Sequence, residues 1–175
     1  MQLSATSDSS IVGGQYNFIA TSDNAHIGGG SGSTITGSTT GVIGGGLLNY
    51  LLNSGHSNIV GGIQNQLLGS LRSHIGGGSG NTISEHGIYP TLTASIVGGH
   101  HNVISGSSHS FIGGGTQNFI KPRVPSVQST YNLIGGGYQN IITSTQGVST
   151  IVGGYQNIIT GYHSSFIGGG RLNSI

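Results

Sequence analysis

Apolar residues in this chain fall at two points eight positions apart, each followed by Gly, Asn, Ser or Thr, and the spacing repeats along the chain. The stretch Ile11-Val12-Gly13-Gly14-Gln15-Tyr16-Asn17-Phe18-Ile19 states the motif. It recurs in ten copies that begin at Ile11, Ile27, Ile43, Ile59, Ile75, Ile96, Ile112, Ile134, Ile151 and Ile167. Position one is always Ile, positions three and four are always Gly, and position two is Val or Gly. Position seven is Asn17, Asn49, Asn65, Asn81, Asn102, Asn118, Asn140, Asn157 and Asn173, with Ser33 as the exception. Position nine is Ile except at Leu51 and Leu67. The step from Ile11 to Ile27 sets the unit at sixteen positions, and most later steps repeat it. The steps from Ile75 to Ile96, Ile112 to Ile134 and Ile134 to Ile151 are longer, by insertions of five, six and one.

A unit this short cannot hold a helix pair, and its Gly and β-branched content opposes helix. Two strands of about four or five residues joined by tight turns fit it, each unit stacking on the next by parallel pairing at about 4.8 Å. The predicted fold is therefore all-β: a parallel β-solenoid of about ten coils, a rod roughly 45–50 Å long. The Ile at positions one and nine are expected to form two buried ladders. Each fully buried Ile contributes on the order of 1.5–3 kcal/mol. The Asn column reads as a ladder of side-chain amides bonded from coil to coil. Residues 1–10 are expected to be an N-terminal tail or capping segment and 11–175 the solenoid, with loop insertions near 84–95 and 121–133.

Composition agrees with a repeat scaffold. The chain has 175 residues with 36 Gly, no Cys, 4% charged residues and a formal charge of +1. Three Pro are too few for collagen, and a third of the residues is apolar, which argues against disorder. No apolar run approaches the length of a membrane helix, about 18 residues or more. The four basic residues, Arg72, Lys121, Arg123 and Arg171, are scattered, so no nucleic-acid footprint is expected. The start Met1-Gln2-Leu3-Ser4 has no basic or apolar leader pattern, so a secretory signal is not expected in the chain as given.

The segment Ile159-Thr160-Gly161-Tyr162-His163-Ser164-Ser165-Phe166-Ile167-Gly168 resembles the head-domain repeats of trimeric autotransporter adhesins, and also the Gly-rich repeats of phage and viral tail fibres. The resemblance spans about Ile11 to Ile175. It implies a left-handed β-roll, three chains side by side about a common axis, and surface attachment from a virion or an extracellular or cell-surface position. The unit here is longer than the one usual in those heads, and His109 stands where Ser164 would be. No heptad stalk or anchor follows, which shifts the expectation towards a fibre.

Attachment chemistry is expected in the insertions, because solenoid coils are scaffold and loops carry contacts. Within Ser84–Ser95 and Lys121–Leu133 the receptor-contact candidates are Glu85, His86, Tyr89, Lys121, Arg123 and Tyr131. The expected partners are further copies of the chain, as a homotrimer or filament, and a cell-surface polysaccharide or protein receptor. No cofactor is expected.

No enzyme is expected either. The acids are Asp8, Asp23 and Glu85, and the last two lie several coils apart. His26 and His74 occupy the same register but three coils apart, roughly 14 Å, so they could share an ion only with copies of themselves at a trimer axis. Adjacent His100 and His101 would point to opposite faces of an extended strand. A Thr-lined ice-binding face would need one Thr column through all coils, and Thr34, Thr36, Thr143 and Thr160 do not supply it.

Assembly draws on positions five and six, where Tyr16, Leu47, Leu48, Ile63, Tyr138, Tyr155 and Leu172 form an apolar stripe if they face outward. The last copy runs to Ile175, and an uncapped coil would expose strand edges open to end-to-end stacking. The expected function is a structural fibre or adhesin-like rod that presents loops for attachment. The alternative is a self-assembling filament or sheath subunit without a receptor of its own.

Overall fold

The computed structural model describes residues 2–4, 6–86, 90–124, 129–144, 147–161 and 163–175. It is an all-β parallel solenoid of about ten coils. Sheet 1 has ten strands: Gln2–Ser4, Phe18–Ala20, Thr34–Thr36, Tyr50–Leu52, Gln66–Leu68, Thr82–Ser84, Val103–Ser105, Phe119–Pro122, Ile141–Ser144 and Ile158–Gly161. Sheet 2 has ten more: Ser10–Ile11, His26–Ile27, Val42–Ile43, Asn58–Ile59, His74–Ile75, Ser95–Ile96, Phe111–Ile112, Leu133–Ile134, Ser149–Ile151 and Ser165–Ile167. Each strand pairs in parallel with its counterpart one coil away, in the register of the sequence repeat, as in Ile19↔Ile35 and Ile27↔Ile43. The segment Gln2–Ser4 belongs to this stack, with Leu3 opposite Ile19.

The core lies between the sheets. From Ile19 to Ile159, every position-one and position-nine side chain is fully buried, while Ile11 and Ile175 at the two ends are not. The ladder expectation therefore holds for all the inner coils.

A third ladder of single-residue bridges runs through position five, from Gln15↔Ser31 to Tyr155↔Arg171. It is followed at position six by a left-handed residue in every coil, from Tyr16 (φ 55) through His101 (φ 52) to Leu172 (φ 58). This conformation costs a non-Gly residue on the order of 1–2 kcal/mol, yet the corner requires it. It turns the chain so that the Asn at position seven enters the interior.

The Asn ladder does more than stack amides. Asn65 donates through Nδ2 to the carbonyls of Gly61 and Gly78, at 2.9 and 3.1 Å, and its Oδ1 accepts the Asn81 N–H at 3.0 Å. One buried side chain thus satisfies backbone groups that a tight corner would leave unpaired. Direct amide-to-amide bonds join Asn102, Asn118, Asn140 and Asn173 each to the Asn one coil before, as in Asn118 Nδ2 to Asn102 Oδ1 at 3.1 Å.

The opposite corner uses serine. Ser22, Ser38, Ser54 and Ser70 are buried, and the Ser38 N–H donates to Ser22 Oγ at 3.0 Å, with the same bond repeated one coil on to Ser54 and again to Ser70. From Ser22 to Ser70, then, a polar side chain turns inward at this corner five residues ahead of the buried Ile, as Asn does two residues ahead of its Ile or Leu at the other.

Candidate functional site

The coil's shape leaves a concavity on the outside. Position seven points inward while positions six and eight point outward, so a groove runs parallel to the rod axis above the Asn ladder. In the N-terminal half it has a volume of about 550 Å³, with Leu48, Gln64 and His101 on one wall and Tyr50, Gln66 and Thr82 on the other. In the C-terminal half it holds about 690 Å³, between a wall of Gln117, Gln139, Gln156 and Leu172 and a wall of Phe119, Ile141 and Ile158, with Lys121 beside the latter. The Gln side chains form their own external ladder: Gln139 Nε2 donates to Gln117 Oε1 at 2.9 Å and Gln156 Nε2 to Gln139 Oε1 at 2.7 Å. A row of fixed amides therefore faces a row of apolar and aromatic side chains across an open channel. Such a surface suits an extended polar ligand with apolar faces.

The six sequence-predicted contact residues do not converge. Lys121 lines the groove, in the strand Phe119–Pro122, with Nζ 5.4 Å from the Phe119 ring centroid. Glu85 is exposed and His86 half-buried, just after the sheet 1 strand Thr82–Ser84. Tyr131 is exposed at another corner, stacked on His109 with ring centroids 4.9 Å apart. Arg123 is exposed beyond the groove strand, its N–H bonded to the Ser144 carbonyl at 3.1 Å. Tyr89 lies outside the described residues. The insertions are partly woven into the solenoid: Lys121 and Pro122 pair with Thr143 and Ser144, and Ser129–Thr130 pairs with Ser107–Ser108.

The histidines behave differently from expectation in one place. His100 and His101 do not diverge: their rings meet edge to face with centroids 4.0 Å apart. The reason is the left-handed corner at His101, which replaces the alternation of a strand. His26 and His74 lie on the outer face of sheet 2. His26 Nδ1 is 2.7 Å from Ser10 Oγ, and His74 Nδ1 is hydrogen-bonded to Asn58 Oδ1. Among the described residues no three His, Cys, Asp or Glu side chains come together.

The apolar stripe at positions five and six does face outward, from Leu47, Leu48 and Ile63 to Tyr138 and Tyr155. The last two stack with centroids 5.3 Å apart, and the Arg171 guanidinium lies over the Tyr155 ring at 5.1 Å. Sequence reasoning missed the groove and the Ser ladder. The signal for the groove was a run of Gln at position six in three successive coils, and for the ladder the Ser that recurs once per unit at Ser22, Ser38, Ser54 and Ser70.

Compared with protein-family models and with curated proteins, the chain matches none.

Proposed function

We propose that the chain is a structural rod, a segment of a viral or phage fibre or an adhesin-like surface rod, that holds a linear cell-surface polysaccharide along its groove. The observation that carries this reading is the groove itself: fixed amides on one wall, Phe119, Ile141 and Ile158 on the other, repeated over three successive coils. Amides bond sugar hydroxyls, and an aromatic or aliphatic wall packs on the apolar face of a pyranose ring. Lys121 at the groove side adds a donor for a carboxylate or sulfate substituent. Glu85, His86, Arg123 and Tyr131 are then secondary contacts, spread on other edges of the same rod. Copies associate side by side, at a virion or cell surface.

Binding of the full chain to a panel of immobilised linear polysaccharides tests the reading. Phe119→Ala and Gln139→Ala are expected to weaken binding at least tenfold while the far-UV circular dichroism stays unchanged. Equal binding by both variants would remove the groove as the receptor site.

A second reading, a self-assembling filament or sheath subunit, is favoured by a different observation. The outer face of sheet 2 is rich in exposed apolar side chains and carries no Asp, Glu, Lys or Arg along its length.

A further inference from the structure

The outer face of sheet 2 consists of the residue before each position-one Ile, here position zero, and the residue after it, position two. Both lie opposite the buried Ile and face solvent. The ladder of backbone bonds reaches position two, as in Val12 N–H to Ile27 carbonyl at 3.0 Å and Val60 N–H to Ile75 carbonyl at 3.0 Å, so this is a continuous sheet surface.

The two columns are reciprocal in size. Where position two is Val (Val12, Val60, Val97, Val152), position zero is Ser10, Asn58, Ser95 or Thr150. Where position two is Gly, position zero is His26, Val42, His74, Phe111, Leu133 or Phe166. All ten coils obey the rule. Contact within the strand accounts for part of it, because the Phe111 and Phe166 rings lie 3.4 and 3.5 Å from where a Cβ of Gly113 or Gly168 would be. It does not account for Gly28, Gly44, Gly76 and Gly135. The atoms nearest a Cβ at each of those four are backbone atoms of the next coil, at 2.2–2.4 Å for the closest. The chain's own stacking therefore calls for Gly at these four positions, and what it leaves free is the size of the side chain beside each, at position zero.

Neither stacking nor solvent requires a large position-zero side chain beside each Gly and a small one beside each Val, whereas a second surface pressed on the face does. A two-fold axis parallel to the rod and running over the Ile column sets position zero of each coil opposite position two of the same coil in the other copy. Every large position-zero side chain then meets a Gly, and every position-two Val meets a Ser, Asn or Thr. We infer that two copies of this chain pack face to face through sheet 2, parallel and in register, about a two-fold axis along the rod.

Further observations select a second copy as the occupant. The face carries no Asp, Glu, Lys or Arg, so it offers nothing to a partner of opposite charge. It holds eight exposed apolar side chains, from Val12 (78%) to Phe166 (65%). The position-three Gly beside it have nothing nearer than 3.9 Å to where a Cβ would be, leaving a low shoulder for close approach. Another copy supplies the same rise per coil along the full length. The footprint is about 45 Å by about 13 Å, or ~600 Å² per copy, between transient and standard interfaces. Association is then concentration-dependent. The inference rests on the reading of the chain as a self-associating rod, and it makes a pair rather than a trimer the unit of assembly.

Sedimentation equilibrium over a range of concentrations, combined with one distance measurement, tests it. Wild type is expected to reach a dimer. Val60→Lys with Val97→Lys should raise its dissociation constant at least tenfold with far-UV circular dichroism unchanged, while Ile141→Lys on sheet 1 leaves it as it was. Val60→Ser with Val97→Ser is the milder pair should the lysines unfold the chain, with a smaller shift in the same direction. The chain has no Cys, so a spin label at Val12→Cys reports a single pair. A short separation, on the order of the ~10 Å between packed sheets, supports the parallel pair, and one near the ~45 Å rod length overturns it. A dimer indifferent to both Val60/Val97 pairs, or a trimeric mass, overturns the face while leaving lateral assembly standing. A wild-type monomer at every concentration overturns both.

Discussion

Asn102→Ala tests the idea that the position-seven amides hold the coil corners. Asn102 is fully buried in the middle of the rod. Its Nδ2 donates to the Gly98 carbonyl at 3.0 Å, the Gly115 carbonyl at 2.9 Å and Asn81 Oδ1 at 3.2 Å. Its Oδ1 accepts the Asn118 N–H at 3.0 Å and the Asn118 Nδ2 at 3.1 Å. Alanine leaves the Asn118 N–H buried without that acceptor, which costs about 1–3 kcal/mol. The Gly115 carbonyl keeps a bond from the His100 N–H, so it adds little. The lost packing brings the expected total to about 2–4 kcal/mol.

Two comparisons sharpen this prediction. Asn173→Ala, at the exposed end of the ladder, should cost less than about 1 kcal/mol. The natural exception, Ser33, meets the Asn49 N–H at a long 3.4 Å and has no amide to offer the neighbouring carbonyls. Ser33→Asn should therefore stabilise by about 1 kcal/mol. Guanidinium titration followed by far-UV circular dichroism measures all three, with the m-value checked because repeat proteins can unfold in parts. An Asn102→Ala loss no larger than that of Asn173→Ala would refute the reasoning.

Adjacent glycines should respond oppositely to alanine. Gly99 has φ +90, and a Cβ there would stand 2.2 Å from the Gly115 carbonyl oxygen, so Gly99→Ala should cost upwards of ~3 kcal/mol. Gly98 has open space where its Cβ would be, and Gly98→Ala should change stability by no more than ~0.5 kcal/mol in the monomer. The same thermal or denaturant melts check both, and similar losses would sink the assignment of position four as the point of closest approach. In the core, Ile104→Ala should lose about 2–5 kcal/mol, while Ala at its outward neighbour Val103 should lose about 1 or less.

Much of the architecture was legible in the chain. Ten Ile at one register and Ile or Leu eight positions later fix which side chains enter the core, because a sheet's period of two and a constant rise leave those columns no other place. The Asn column was legible for the same reason. The second polar corner was not, since Ser is common throughout the chain and its inward members differ from the exposed ones only in register. The left-handed corners at position six also escaped, because Tyr16, Leu48, His101 and Gln139 are not residues that announce such a turn. That turn brings the His100 and His101 rings together, sends positions five and six outward alike, and opens the groove between positions six and eight.

The sequence by itself thus determined the coil, its length, its two aliphatic ladders and its want of charge. These depend only on local periodicity and on the stacking of like on like. Only the tertiary structure decided which polar residues turn inward, that Lys121 lines the groove while Glu85, His86 and Tyr131 lie elsewhere, and that the next coil's backbone leaves no room for a Cβ at Gly28, Gly44, Gly76 and Gly135 on sheet 2. Those depend on backbone direction at each corner and on the approach of one coil's carbonyl to the next coil's α-carbon. Residue order alone does not state these distances.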